Sequence, residues 1–272
     1  MNREVPAART WHYGLVARWW AEFNQGDDDV DYFRRAIAAS GEPALDAGCG
    51  TGRVLIPLLR AGLDVDGCDV SSDMLAWCRK SADAEGLKTT LYPQAMHQLD
   101  LPRRYRTIVV CGAFGLGGTR ADDFAGLRRI HAHLEPGGML VMDHTLPNHE
   151  MSRTWAWWAQ QPELPRTWPK RSDRRRAADG TELELCTRTL AFDPLEQTTT
   201  LEMRASHYVD DVVVATETNA IDICIYFKNE IELMLQLAGF HDIVVSSILE
   251  DRPPRPWDDD RIVFHATRGA DA

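Results

Sequence analysis

The stretch Ala44-Leu45-Asp46-Ala47-Gly48-Cys49-Gly50-Thr51-Gly52-Arg53 decides the fold. Its apolar first residues predict a buried strand, and residues 54–59 predict a helix, so three alternate glycines form the loop between them. A strand, a glycine loop and a helix in this order are typical of the nucleotide-binding corner of a doubly wound α/β sheet. The alternative is a plain turn between two elements, because glycine also permits a sharp bend without a ligand.

The spacing of the glycines distinguishes between two kinds of cofactor. A dinucleotide-binding loop has the pattern Gly-x-Gly-x-x-Gly, and its third glycine allows the helix to pack closely on the strand. Here Arg53 occupies that third position, and Gly52 comes one residue earlier. The stretch instead resembles motif I of the class I S-adenosylmethionine-dependent methyltransferases, Asp-x-Gly-x-Gly-x-Gly, which starts here at Asp46. The resemblance implies S-adenosylmethionine as cofactor and S-adenosylhomocysteine as its product.

Asp69 is a second residue that the sequence assigns to the cofactor. It follows the predicted strand 65–68, and a carboxylate at this place can accept both hydroxyls of a ribose. A surface aspartate that caps the next helix is the alternative. Val70 and Met74, at the start of that helix, are assigned to the same site.

The family resemblance assigns further cofactor contacts, with one departure from the family pattern. Related enzymes carry Gly-Asp-x after the third strand, where the aspartate bonds the adenine amino group, but this chain has Gln94-Ala95-Met96. We expect Gln94, Gln98 or the backbone at Met96 to replace that carboxylate. The resemblance also implies an N-terminal helix over the cofactor, with Tyr13 and Arg18 as candidates for its methionine carboxylate. The remaining predicted contacts come from the glycine loop and the end of strand four: Asp46, Gly48, Cys49, Gly50, Gly52, Arg53, Cys111 and Gly112.

The acceptor site is expected off the carboxyl ends of strands four and five, where ligands bind in open α/β sheets. Phe114 lies in the glycine-rich loop after strand four, and His144 ends strand five. His144 is either a general base or simply a polar residue at a strand end. A tryptophan cluster follows, and we predict that it lines an apolar acceptor cavity, with packing inside a lid as the alternative. The cluster is Trp155, Trp157 and Trp158.

The composition excludes several classes of protein. A net charge of −11 and a pI near 5.3 argue against a broad nucleic-acid-binding face. The six cysteines contain no Cys-x-x-Cys pair, which favours a reducing compartment and no zinc site. The polar start resembles no signal peptide, and no apolar run reaches membrane-spanning length. We therefore expect a cytoplasmic protein with no metal and no nucleic-acid or membrane partner.

The predicted fold is α/β: a Rossmann-like, seven-stranded, mostly parallel sheet with helices on both faces, plus an antiparallel β insertion that forms a lid. The 272 residues form a single methyltransferase domain in this prediction. Residues 1–40 are an N-terminal helical cap and 41–145 the cofactor-binding core. Residues 146–225 are the substrate-covering insertion, and 226–272 supply the final helix and strands.

The predicted function is methyl transfer from S-adenosylmethionine to a small-molecule acceptor, by a monomer or a homodimer. The methylated atom can be N, O or C: an O-acceptor usually needs a base or a polarising group, whereas a neutral amine does not. One alternative is a nicotinamide- or flavin-dependent oxidoreductase, which Arg53 disfavours. The other is a non-catalytic S-adenosylmethionine-binding protein, which the altered residues 94–96 keep open.

Overall fold

The structure, a computed structural model, describes residues 10–147, 163–248, 250, 252–256 and 258–270. Its helices are α1 (Gly14–Phe23), α2 (Val30–Ser40), α3 (Leu55–Arg60), α4 (Ser72–Ala84), α5 (Arg120–His133) and α6 (Lys228–Leu237). Its strands are β1 (Ala44–Ala47), β2 (Val65–Cys68), β3 (Leu91–Tyr92), β4 (Tyr105–Val110), β5 (Leu134–Thr145), β6 (Asp173–Arg176), β7 (Glu182–Asp193), β8 (Thr198–Val209), β9 (Val212–Cys224), β10 (Phe240–Ser247) and β11 (Arg261–Arg268). In this described part of the chain, no helix is both long and apolar enough to cross a membrane.

Seven strands form the main sheet, in the order β10-β11-β5-β4-β1-β2-β3. The strands from β1 to β5 run parallel, and β11 is antiparallel to both of its neighbours. Side chains of α2, α3 and α4 pack on one face, and those of α5 and α6 pack on the other. Because both faces are covered, β1 is buried along its whole length. The predicted seven-stranded, mostly parallel sheet is confirmed.

A second sheet, β6-β7-β8-β9, is entirely antiparallel, and we call it the lid sheet. The alternation of apolar and polar residues predicts its three long strands. It does not predict β6, whose residues Asp-Arg-Arg-Arg carry no apolar side chain and are held in place by pairing with β7. Strand β5 ends at Thr145 and β9 ends at Cys224, which agrees with an insertion over 146–225. The division of the chain into a helical cap, a cofactor-binding core, an insertion and a C-terminal part stays a prediction.

The lid sheet and the core enclose the N-terminal helix. Leu185, Met203 and Ile221 of the lid sheet pack against Trp11 and Val16 in one apolar cluster. On its other side, the segment is tied to the start of α4 through a hydrogen bond from the Gly14 N–H to Asp73 Oδ2, at 2.8 Å. The residues just before α1 therefore lie over the carboxyl ends of β1 and β2.

Candidate active site

The glycine loop after β1 has a backbone that only glycine adopts easily. Gly48 has φ +87° and Gly50 has φ +53°, in the left-handed region where a Cβ is strained. A Cβ at Gly48 would lie 2.5 Å from Cβ of Ala113, so the loops after β1 and β4 touch here. At Gly50, a Cβ would meet only the terminal methyl of Met74, at 3.2 Å. The loop is thus packed at its first glycine and open at its second.

Asp69 joins this loop to the end of β2. Its Oδ2 accepts the Gly50 N–H at 2.9 Å and its Oδ1 accepts the Ser71 N–H at 2.8 Å. Burial raises the pKa of Asp69 above its usual value, although these N–H groups act in the opposite direction. Each carboxylate oxygen has two lone pairs, so Asp69 can accept further hydrogen bonds from a ligand.

Two cavities open along the glycine loop. One, of about 100 Å³, lies beside residues 94–97, and the other, of about 220 Å³, reaches Asp46 and Arg53. Gly48, Asp69 and Ala113 line both, so the two cavities form neighbouring parts of one cleft, which we call the cofactor cleft. The predicted cofactor residues that line it are Asp46, Gly48, Cys49, Gly50, Arg53, Asp69, Val70, Met74, Gln94, Ala95, Met96, Cys111 and Gly112.

Asp46 has a buried carboxylate oxygen without a partner. The residue is 1% exposed, and its Oδ2 has no hydrogen bond within the part of the chain that the structure describes. Burial raises the pKa of Asp46 to about 7, although the charge of Arg53 opposes the shift. An unpaired buried carboxylate is costly unless a ligand supplies a donor. The ammonium group of S-adenosylmethionine is such a donor, so the residues of the cleft fit this cofactor.

Three of the predicted cofactor residues do not line the cofactor cleft. Tyr13 directly precedes α1 and is 36% exposed. The guanidinium of Arg18 donates to Asp179 Oδ2 at 2.7 Å and to Thr181 Oγ1 at 3.1 Å, which ties α1 to the lid sheet. Gly52 faces apolar packing rather than the cleft. The geometry therefore gives Arg18 and Gly52 structural contacts, and the assignment of all three residues to the cofactor stays a prediction.

His12, which the sequence analysis missed, lines both cavities of the cleft. Its Nε2 accepts the indole N–H of Trp11 at 3.1 Å, so the ring proton sits on Nδ1, which donates to Thr10 Oγ1 at 2.7 Å. Burial lowers the pKa of His12 to about 4. The ring is therefore neutral at pH 7 and does not repel a cationic ligand. A single histidine outside any motif gives no signal in the sequence.

An ion-pair network of two aspartates and two arginines lies next to the cofactor cleft. Asp29 pairs with Arg53 at 2.5 Å and with Arg261 at 2.7 Å. Arg261 Nε also donates to Asp143 Oδ2 at 2.6 Å, and Asp143 Oδ1 accepts the Gly112 N–H at 2.6 Å. The network thereby fixes Gly112, which lines the cleft. Burial alone would raise the pKa of Asp29, but the hydrogen bonds from the two arginines outweigh burial and hold the pKa below its usual value.

We expect Asp29→Asn to lower the free energy of unfolding by about 3 kcal/mol at pH 7, because it leaves the half-buried Arg53 without a carboxylate and Arg261 with one carboxylate instead of two. The folded-state pKa is depressed, so this stabilisation is present above the unfolded value, near about 3.9, and is lost at lower pH. Urea unfolding measures the change. Asp31→Asn is the control, since Asp31 is 72% exposed in its pair with Arg34 and should cost less than about 0.5 kcal/mol. Equal effects of the two variants would contradict a structural role for the network.

A third cavity, of about 640 Å³, adjoins the cofactor cleft and lies between the core and the lid sheet. Gly112, Ala113 and Leu116 line both this cavity and the cleft. We call it the acceptor cavity. Phe114 and His144 lie on its wall, while their role in acceptor binding stays a prediction. Trp155, Trp157 and Trp158 lie outside the described residues.

The wall between the cleft and the acceptor cavity is bonded to the lid sheet. Leu116 forms an antiparallel bridge with Ile223 of β9. Two backbone hydrogen bonds hold this bridge: Gly117 N–H donates to the carbonyl of Asp222 at 2.8 Å, and Cys224 N–H donates to that of Gly115 at 2.9 Å. The loop after β4 therefore extends the edge of the lid sheet and joins the lid to the core.

His144 is held in one tautomer. Its Nε2 lies 3.0 Å from the carbonyl oxygen of Tyr226, which can only accept, so the ring proton is on Nε2. Burial lowers the pKa of His144 below its usual value, against the opposing effects of that hydrogen bond and of Asp143. At neutral pH the ring is thus uncharged, with the lone pair on Nδ1. Such a group can accept a proton within the acceptor cavity.

The chain is similar to known methyltransferases. A family model described as a methyltransferase domain matches residues 44–138. A glycine/sarcosine N-methyltransferase from Halorhodospira halochloris is 29% identical over 139 residues, which cover 48% of this chain and 51% of that protein. The chain spans about half or less of the length of the curated relatives that it matches.

Solved structures share the architecture over nearly the whole chain. An S-adenosylmethionine-dependent methyltransferase from Clostridium acetobutylicum superposes with a TM-score of 0.71 at 15% identity, covering 93% of this chain and 98% of that one. CalS10, an amino pentose methyltransferase from Micromonospora echinaspora, gives a TM-score of 0.63 at 18% identity, with 95% and 98% covered. At such identities the likeness shows the fold. The family match makes residues 44–138, which include the glycine loop, similar to a methyltransferase domain, and the main sheet has the fold of S-adenosylmethionine-dependent methyltransferases.

Proposed function

We propose that the protein transfers the methyl group of S-adenosylmethionine to a small molecule bound in the acceptor cavity. The observation that carries this proposal is the meeting of the cofactor cleft and the 640 Å³ acceptor cavity at Gly112 and Ala113. A cofactor in the cleft and an acceptor in the cavity would be held next to each other in one orientation. Such positioning is a large part of catalysis between two bound reactants.

Each part of the cleft has a proposed task. Asp69 binds the ribose hydroxyls and Asp46 binds the ammonium group of the cofactor. The side chain of Gln94 is engaged, because its Oε1 accepts the Asp100 N–H at 2.9 Å. We therefore assign recognition of the adenine to the backbone of Ala95 and Met96. When bound, S-adenosylmethionine supplies a methyl group that its sulfonium already makes electrophilic.

We favour the nitrogen of an amine as the atom that accepts the methyl group. A protein named as a glycine/sarcosine N-methyltransferase and one named as an amino pentose methyltransferase both take amine-bearing molecules, and these molecules differ greatly in size. The acceptor cavity, at 640 Å³, lies in the range of sites for drug-sized ligands, and glycine would fill only a small part of it. An amine that arrives protonated must lose a proton before it attacks, and His144 Nδ1 can accept that proton.

Calorimetry with Asp69→Ala tests the cofactor part of the proposal. We expect S-adenosylhomocysteine to bind the parent protein in the micromolar range, on the order of −7 to −9 kcal/mol. The variant should lose about 1.5–3 kcal/mol, because two hydroxyls lose a charged acceptor. Asp83→Ala, an exposed position on α4, is the control and should bind as the parent does. Unchanged binding by Asp69→Ala would remove Asp69 from the ribose site.

Two further measurements separate the proposal from its alternatives. Binding of NAD in place of S-adenosylhomocysteine would indicate an oxidoreductase. Mass-spectrometric detection of methylated product, with a panel of amines that includes amino sugars and amino acids, tests turnover. Cofactor binding with no product from any amine, alcohol or phenol tested would favour a non-catalytic binding protein.

A further inference from the structure

The acceptor cavity has an uneven distribution of charge. Its wall contains one carboxylate, Asp143, and two basic residues, His144 and Arg166. The Asp143 side chain is 1% exposed and already binds Arg261 and the Gly112 N–H. Burial lowers the pKa of His144 below its usual value, so this ring is uncharged at neutral pH. Arg166 is therefore the charge on the described wall that remains available to a ligand.

Arg166 precedes the lid sheet and differs from several arginines within that sheet. Its backbone N–H donates to the carbonyl of Thr189 at 2.8 Å, which anchors the residue to β7 at the cavity. The residue is exposed, and its guanidinium has no ion-pair partner among the described residues. Three arginines of the lid sheet are instead paired with a carboxylate: Arg174 with Glu182, Arg175 with Asp173 and Arg188 with Glu202.

Most of the surface that lines the acceptor cavity is apolar. The rings of Phe114 and Tyr226 lie against each other with centroids 5.3 Å apart, and both line the cavity. Phe192 and Leu201 face them from the lid sheet. An acceptor in this cavity meets His144, Phe114 and Tyr226 on the core side. On the lid side it meets Phe192, Leu201 and Arg166.

We infer that the acceptor carries an anionic oxygen group, a carboxylate or a phosphate, which Arg166 binds at the lid while an apolar body lies against Phe114 and Tyr226. Guanidinium groups bind both kinds of oxyanion through paired N–H donors. A protein of net charge −11 repels anions at long range, so local pairing with Arg166 would be needed to select such an acceptor. This inference rests on the proposed function, because it assigns the cavity to the acceptor.

Matched probes test the charge preference directly. We propose to titrate 3-phenylpropanoate, phenyl phosphate and the uncharged 3-phenylpropanamide into protein saturated with S-adenosylhomocysteine. The parent should bind one anion about five- to tenfold more tightly than the amide. The anion that binds more tightly shows whether the acceptor group is a carboxylate or a phosphate. Arg166→Gln should remove the preference and Arg166→Lys should retain part of it. Arg171→Gln, an exposed arginine outside the cavity wall, is the control and should leave the preference intact.

The outcomes separate the inference from the proposed function. If S-adenosylhomocysteine binds but neither anion binds at millimolar concentration, or neither exceeds the amide, the inference is wrong and the proposed function stands. A preference that survives in Arg166→Gln also overturns it. If S-adenosylhomocysteine itself does not bind the parent, the proposed function is wrong, and the inference that rests on it is wrong as well. We expect its affinity to be the same in all three variants, because Arg166 and Arg171 lie outside the cofactor cleft.

Discussion

Gly50→Val is expected to abolish measurable binding of S-adenosylhomocysteine and to leave the fold in place. The position has φ +53°, so a valine there carries backbone strain of about 1–2 kcal/mol, which a domain of this size should survive. Its branched side chain would occupy the space beside Met74 where the loop is open. We expect the affinity to fall more than about 100-fold, equivalent to about 2.7 kcal/mol.

The control for this variant is Gly62→Val. Gly62 follows α3, has φ +81° and would have no heavy atom within 4 Å of its Cβ. It therefore imposes similar backbone strain away from the cofactor cleft. Urea unfolding should show similar losses of stability in both variants, and calorimetry should show lost binding in Gly50→Val alone. A Gly50→Val protein that folds and binds normally would remove the glycine loop from the cofactor site.

His144→Ala is expected to lower turnover about 100-fold, because a general base contributes at least that much to rate. His144→Gln separates this role from a structural one. A glutamine amide can donate to the Tyr226 carbonyl, as His144 Nε2 does at 3.0 Å, but it cannot accept a proton at neutral pH. If His144 is the base, the Gln variant is as slow as the Ala variant. Product formation with the best amine from the acceptor panel measures both.

The pH profile gives a second test of His144. Burial lowers its pKa below the usual value, so the neutral base persists at neutral pH, and turnover should fall only when the pH drops through that lowered pKa. In His144→Gln the acid limb set by His144 should disappear, and turnover should instead rise with pH towards the pKa of the acceptor amine, because no base then takes the proton of the amine. His241→Ala, an exposed position on β10, should keep the parent profile. Recovery of most activity by His144→Gln would assign His144 a structural contact instead.

The residues of the cofactor cleft that could be predicted from the sequence are those that lie in short continuous stretches of it. The glycine loop and Asp69 belong to short strand–loop–helix segments, and each element sets the geometry of the next. Arg261 could not be predicted in the same way, because its pairing with Asp29 joins residues 232 positions apart. His12 is another such case: its place over the cleft depends on packing of the N-terminal segment between the lid sheet and the core.

The strands of the lid sheet could also be predicted from the sequence, whereas its contacts with the core could not. Its long strands follow from alternating side chains, since one face of an antiparallel sheet is buried. The residues that face the acceptor cavity are harder to predict, because they depend on which edge of the lid sheet meets the core. The bridge from Leu116 to Ile223 fixes that edge, and neither residue carries a motif. Arg166 likewise gains its position from a backbone bond to Thr189 and not from a sequence pattern.

The hydrogen bond between His144 and Tyr226 has a consequence for how this fold can change. It spans 82 residues of sequence yet joins atoms 3.0 Å apart, so the chain leaves the core after β5 and returns to it at nearly the same point. A segment with adjacent ends can be lengthened or exchanged at small cost in chain entropy, about 0.6 kcal/mol for each doubling of its length. The segment that carries the lid sheet could therefore be replaced as a unit, while the core keeps its own strand ends and loops.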